Sequence, residues 1–556
     1  MMAIQRVIVA LMFCAVIGLI AVVSPRAVAA LPMCADLGTN PAYGLAGNPQ
    51  IGGLTAALQP ASAPDKPYCK VDFTFSGESG PSAGYLPGQS QQIRIRVGLP
   101  PNGVDITNPI AAGAVPWNGK NRDLGGGGYV GQVRPVTPST NLGYVGTETD
   151  AGHSTQGGSF ALNPDNTLNW GLIEDFAADG IHEQHVWGVK LAEAYYGMEP
   201  VRKYWMGCST GGRQGHYQAQ HFPQDFDGIL AGASAVNWDR FATAWLWPAV
   251  VMNQELGAPI AAAKLDAVTN AAITACDALD GIPDGIIQDP RACPYSATAF
   301  VCLANGGPSS DPNCLTPPEA AAVDKIWDGP RDANGNRVWY GLERGTSLVT
   351  LASAAPIFVA YVRYWIHQDP TFDWHTVTEA SFVNDMLTSI AKFNDVIGTD
   401  DDLTEFRKAG GKMITYHGLS DEQIFPRGTY HYYNSVLHGD YSETQKFYRF
   451  FPYPANGHCG GGNAPLIDPE TLFSALVNWV ENGVAPDYIV ATQPNAARTR
   501  KICMYPNVPV YTGSGSTDDQ TNFKCQEREK DDLIDELEIA KQFETSTKAV
   551  IERDVD

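Results

Sequence analysis

The sequence predicts an α/β protein, a parallel sheet flanked by helices and interrupted by one long insertion. Short apolar runs alternate with helical patterns over 185–234, and the alternation returns at 412–418. Between them, from about 236 to about 399, the rhythm is lost in a Trp-, Pro- and Ala-rich stretch without clear strands. Because the alternation resumes beyond it, that stretch reads as a lid carried on the sheet rather than a second domain in series. Third, Gly207-Cys208-Ser209-Thr210-Gly211 fits G-x-S-x-G between a strand pattern and a helical one, the context in which that motif forms a sharp turn.

Taken in order, residues 1–30 are an export signal. Arg6 leads into "VIVALMFCAVIGLIAVV", followed by Pro25 and the small-residue "AVAA", so cleavage is expected after Ala29 or Ala30. The apolar run is near bilayer-spanning length, so an uncleaved anchor is the alternative. "LPMC" is a poor match to a lipid-attachment box. The protein is therefore expected outside the cytoplasm, secreted or periplasmic, with no membrane partner. The first part of the core spans 31–235. In it "VDFTFSG" and "QIRIRVGLP" read as strands, the second by alternation of Ile93, Ile95 and Val97 with Arg94 and Arg96. "HVWGVKLAEAYYG" reads as a helix through Val186, Val189 and Ala192, with Gly197 as its stop. "KYWM", the sharp turn, the helical "RQGHYQAQHF" and the buried strand "DGILAGAS" follow. The lid covers 236–399 and the second part of the core 400–525, opening on the strand "KMITYHG". The acidic tail, 526–556, has Leu533, Leu537 and Ala540 at helical spacing and reads as a solvated helix or disordered extension.

The 556 residues, 44% of them hydrophobic, suffice for a large core. A formal charge of −23 and a pI near 4.8 exclude a nucleic-acid partner, which needs a basic footprint. Of eleven cysteines, Cys14 falls in the leader and the other ten are an even set in an exported chain. Nearest-neighbour pairing joins Cys34–Cys69, Cys276–Cys293, Cys302–Cys314 and Cys503–Cys525, leaving Cys208 and Cys459, although sequence alone permits many other connectivities.

Those two cysteines stand beside residues suited to acyl transfer. Ser209, on its glycine-rich turn, is the candidate nucleophile, and the following amide of Thr210 would face the reacting carbonyl. A serine hydroxyl needs a base, and His458, in a glycine-rich loop and directly before Cys459, is the candidate. A Cys208–Cys459 bridge would hold both loops together. The orienting acid should lie between Ser209 and His458 after a strand. Asp421 in "YHGLSDEQIFP" fits, whereas Asp400, Asp401 and Asp402 read as a helix cap and solvated face. A second oxyanion donor should come from the glycine-rich "LGGGGYVG" at 124–131. That run also matches G-x-G-x-x-G, but two prolines in the following "QVRPVTPST" deny a dinucleotide site its helix. Asp277, Asp280 and Asp284, between Cys276 and Cys293, read either as a calcium loop or as an acidic disulfide loop.

The set Cys208-Ser209, Asp421 and His458-Cys459 resembles that of the tannase and feruloyl esterase family of α/β-hydrolases. The likeness continues through "GGGGYVG", "TDAGH", "GCSTGGRQG", "FPQDFDGILAGA", "CDALDGIPDGI", "GGKMITYHGLSD" and "ARTRKICMYP", covering nearly all of 31–525. It implies an α/β-hydrolase fold with a large lid, all five disulfides, and oxyanion amides from Gly128 and Thr210. It implies structural Ca2+ in the lid, held by Asp277, Asp280 and Asp284 with the carbonyls of Ile282 and Ile286. It also implies a serine carboxylesterase acting on small aromatic esters, hydroxycinnamic or galloyl, free or attached to plant polysaccharide or polyphenol. Terephthalate monoesters, acyl transfer to an alcohol, and a binding protein with an inactive site are the alternatives. Tyr361, Tyr364, Trp365 and Trp374 are candidates for either the pocket wall or the lid core.

Overall fold

In the computed structural model, residues 31–527 are described, apart from 438–439, 463 and 495–496. The expected export signal and nearly all of the acidic tail lie outside the described residues.

The centre is a nine-stranded sheet. Its strands are β1 (Ile51–Gln59), β2 (Tyr68–Phe75), β3 (Ile93–Leu99), β4 (Lys120–Leu124), β5 (Val145–Thr149), β6 (Arg202–Cys208), β7 (Gly228–Gly232), β8 (Lys412–Gly418) and β9 (Tyr448–Tyr453), in spatial order β1-β2-β3-β5-β4-β6-β7-β8-β9. The expectation of a purely parallel sheet is corrected here. β1–β2, β2–β3 and β3–β5 pair antiparallel, and only the remaining pairs are parallel. No α-helical crossover separates β1 from β2 or β2 from β3, and without one consecutive strands pair antiparallel.

Two helices matter most to the site. Helix α1 (Gly180–Tyr196) ends on Gly197, whose φ of 76° caps it, but it begins five residues before the expected start. Of its inward residues there only Ile181 is a large apolar one, beside Gly180 and Gln184, too little for hydrophobic periodicity to mark. Gln184 Nε2 donates to the carbonyls of Leu124 (3.0 Å) and Thr147 (3.1 Å), and His185 Nδ1 lies 2.6 Å from Asp123 Oδ2. Helix α2 (Thr210–His221) starts directly after β6 and Ser209.

Residues 236–399 contribute no strand to the sheet. Helices α3 (Trp238–Ala244) and α4 (Glu379–Ile397) bring Trp238 and Phe393 into one aromatic core with Tyr361 and Trp365. Five disulfides are formed: Cys34–Cys69, Cys208–Cys459, Cys276–Cys293, Cys302–Cys314 and Cys503–Cys525.

Candidate active site

Ser209 sits where β6 turns into α2, with φ 63° and ψ −125°, a left-handed backbone that a residue bearing a side chain adopts at a cost. The surrounding glycines make the turn possible. A Cβ on Gly207 would lie 2.5 Å from the Gly211 carbonyl carbon, and one on Gly211 would lie 2.9 Å from Gly126 O. The glycine-rich run is thereby seated on the first turn of α2. Thr210 Oγ1 donates to Gly128 O at 2.6 Å, and Gly126 N–H donates to Gln214 Oε1 at 2.9 Å. Gly128 itself has φ 56°. Thr210 is the first helical residue, so its amide has no intrahelical acceptor.

Asp421 follows β8 and is fully buried. Its Oδ1 accepts the amides of Gln423 and Ile424, both at 2.8 Å. Its Oδ2 lies 2.8 Å from His458 Nδ1 and 3.0 Å from His417 Nε2. Burial pushes this carboxyl up, but the two imidazoles outweigh it and hold the acid down to about 2. The same contact acts on His458. Burial is the largest single influence and disfavours its charge, yet Asp421 and Glu422 prevail and raise it above the ordinary histidine value. With Nδ1–H donated to Asp421, the lone pair of His458 resides on Nε2.

His458 and Ser209 line one cavity of about 480 Å³. The Cys208–Cys459 bridge joins the residue before the serine to the residue after the histidine, with Cα atoms 5.9 Å apart across 251 positions. The expected residues of the two core segments, Ser209, Thr210, Gly128 and His458, therefore meet at one cavity, with Asp421 behind the imidazole.

The lid side of the cavity is Trp238, Phe241, Trp245 and Ile357. Tyr361, Tyr364, Trp365 and Trp374 are not among its lining residues; Tyr361 and Trp365 are fully buried, and Tyr364 and Trp374 pack on the lid core. Of the two readings of these four, pocket wall or lid core, the structure favours the core. Tyr361 and Trp365 belong to the lid's aromatic core, while Trp238, Phe241 and Trp245 lie on the segment that leaves the sheet after β7 and reach the cavity. His417 was also not anticipated. Its Nδ1 lies 2.7 Å from Thr429 Oγ1, so Thr429 and Asp421 hold the ring from both sides. The four-residue spacing from His417 to Asp421 across the strand end was the available signal.

The acidic loop is crowded. Asp277 Oδ1 accepts the amides of Asp284, Gly285 and Ile286 at 2.9, 2.8 and 3.1 Å, and Asp280 Oδ1 accepts that of Ile282 at 2.9 Å. Burial, with the negative charges of Asp284 and Asp277, pushes Asp280 up to about 6. Hard oxygen donors under mutual repulsion suit a hard cation. In this arrangement Asp284 pairs with Arg500, and among the described residues no three such side chains converge at metal-ligand spacing. The donor chemistry fits calcium, and ligation would require Asp284 to turn from Arg500.

A serine on a strained strand-to-helix turn, above a sheet whose later strands run parallel, defines an α/β-hydrolase. The chain belongs to the tannase and feruloyl esterase family, whose model matches residues 100–526. Among curated relatives, a probable feruloyl esterase of Arthroderma benhamiae is 36% identical over 434 residues, covering 74% of this chain and 80% of the relative. Feruloyl esterase B of Aspergillus niger is 30% identical over 440 residues, covering 74% and 82%. The solved structure of feruloyl esterase B from Aspergillus oryzae superposes with a TM-score of 0.73 at 28% identity, over 86% of this chain and 97% of that one. Tannin acyl hydrolase from Aspergillus niger, at 24% identity, shares the fold with a TM-score of 0.75 over 91% and 98%. The protein is a carboxylic ester hydrolase.

Proposed function

We propose that the protein is an exported serine esterase acting on small esters of aromatic acids, with hydroxycinnamic acids such as ferulic acid, or galloyl groups, as the acyl part. Ser209 Oγ attacks the ester carbonyl while His458 Nε2 takes its proton, and Asp421 holds the imidazole in the required tautomer and favours its charged form. The amides of Gly128 and Thr210 receive the developing oxyanion. His458 then returns the proton to the leaving alcohol, and water, activated by the same base, releases the acid. The observation that carries this reading is the cavity where the strained Ser209 and the Asp421-bound His458 meet under an aromatic lid wall. The wall of Trp238, Phe241 and Trp245 supports a flat aromatic acyl group, and the names of the curated relatives point the same way.

Calcium in the lid, held by Asp277, Asp280 and Asp284 with the carbonyls of Ile282 and Ile286, is part of this proposal as a structural ion that ties down an acidic loop. Export is part of it too. Five disulfides suit an oxidising compartment, and no described helix is long and apolar enough to cross a membrane.

Initial rates on methyl ferulate, methyl gallate, mono-hydroxyethyl terephthalate and a short aliphatic ester, each beside Ser209→Ala, test the reading. An aromatic ester should lead, and the alanine variant should lose at least about 10³-fold in kcat. A folded wild-type protein inert on all four esters, or an alanine variant as active as wild type, defeats it.

A further inference from the structure

The candidate cavity has walls of two kinds. The lid contributes Trp238, Phe241, Trp245 and Ile357, whereas the segment after the glycine run contributes Gln132 and Arg134, with Gln156 beside them. Gln156 Nε2 donates to Gln132 Oε1 at 3.1 Å, so two of these polar side chains are tied to each other.

Arg134 is the charged member of this wall, and its guanidinium lies against the glycine-rich run. A Cβ on Gly127 would come within 2.7 Å of Arg134 Nη2 and 3.4 Å of Nη1, one residue from Gly128. A side chain at 127 would push the cation from this position. The neighbouring cations are already taken: Arg94 pairs with Asp150 and Arg96 with Asp72. Arg96 Nη1 also donates to the Arg134 carbonyl at 3.3 Å, fixing the main chain beneath the free guanidinium. Among the described residues no carboxylate forms an ion pair with Arg134. The acid that senses its charge, Glu148, is 3% exposed, and burial pushes it up to about 8 despite Arg134. Glu148 thus holds its negative charge weakly and offers the guanidinium little compensation. In a chain of net charge −23, a cation without an ion-pair partner lining a reactive cavity draws an anion against the overall field.

We propose that Arg134 is a specificity-determining residue that pairs with a carboxylate on the alcohol portion of the ester. This rests on the esterase reading of the cavity. The aromatic acyl group is matched by the lid wall, so the part of the substrate over the glycine run is the alcohol. A planar guanidinium there offers paired N–H donors matched to a carboxylate.

Two nearly isosteric substrates test it: the feruloyl ester of glycolate, with a carboxylate on the alcohol, and that of glycolamide, with a neutral amide in its place. Monomethyl and dimethyl terephthalate put the same contrast on the acyl side, and methyl ferulate reports the esterase activity itself. Wild type should favour the glycolate ester by about tenfold in kcat/KM, mainly through KM, as a charged hydrogen bond would give. Arg134→Gln should abolish the preference and Arg134→Lys restore part of it, both with folding verified by melting curves. If Arg134→Gln fails to fold, the wild-type preference and its weakening in Arg134→Lys still decide the matter. Wild type that hydrolyses methyl ferulate but treats glycolate and glycolamide alike overturns the Arg134 assignment and leaves the esterase reading standing. Retention of the preference in Arg134→Gln, or a preference for anions on the acyl side alone, also overturns it. Inactivity on every ester overturns both.

Discussion

Asp421 gathers four donors on one carboxylate: two amides of its own turn and two imidazoles, all within 2.8–3.0 Å. An acid so held resists protonation and fixes the ring of His458, so its loss should be felt chiefly in rate. Asp421→Asn is expected to lower kcat by about 10⁴, because the amide favours the wrong tautomer of His458. The pH profile carries a second expectation. A base must be neutral to accept a proton, and Asp421 raises His458 above its usual value near 6.5. Activity should therefore fall as pH drops through that raised value, with an acid limb above pH ~6.5. In Asp421→Asn the main raising influence disappears while burial and the weaker pull of Glu422 remain, so the limb of the residual activity should move to lower pH. A profile of kcat/KM against pH for both proteins decides this, and an unmoved limb would separate Asp421 from the titration of the base.

At the scale of elements, the Cys208–Cys459 bridge joins the end of β6 to a loop that follows β9, three strands further across the sheet. Closing 251 positions restricts the unfolded chain by an amount worth about 5 kcal/mol at most. The folded state gains something more local, since each half-cystine adjoins a residue whose position must be held closely for proton transfer. Replacing both cysteines by serine should lower the melting temperature and reduce kcat by more than it alters KM. A stable double variant with unchanged kcat would make the bridge a general staple only. The strands beside this bridge also show where sequence reading fails. β4, "KNRDL", runs through the middle of the sheet with Asn121, Arg122 and Asp123 all at 0% exposure. No hydrophobic pattern marks it, because its charged side chains are satisfied by distant partners: Arg122 by Glu470 at 2.7 Å, and Asp123 by His185 at 2.6 Å and Thr147 at 2.6 Å. Buried polar groups are affordable only when paired, and those pairs come from tertiary structure. By contrast β3, β7 and β8 carry much of their burial in aliphatic and aromatic residues and could be read directly.

For the molecule as a whole, the lid joins an aromatic core to an acidic loop, where calcium is proposed to bind. Calcium bound as proposed would relieve the burial and charge repulsion that raise Asp280, so the ion should stabilise the fold without entering the reaction. Adding a chelator should lower the melting temperature by about 5 °C or more, while the initial rate at low temperature changes little. Superimposable melting curves with and without chelator would count against the site. Calorimetric titration of calcium into the chelated protein supplies a reading independent of activity.

The sequence by itself determined the α/β class, the long interruption of the sheet, and the residues brought to one cavity. Each of these is written locally: apolar alternation in β3, the glycines around Ser209 that permit a left-handed turn, and cysteines set beside Ser209 and His458. Only the tertiary structure decided the mixed pairing of the sheet, the course of the polar central strand, and the cavity wall of Trp238, Phe241 and Trp245. It also revealed His417 behind Asp421 and Arg134 against Gly127. The physical reason is common to all of these. Strand direction, the pairing of buried polar groups, and the choice of which aromatics face a cavity depend on contacts between residues far apart in the chain, and no local periodicity records them.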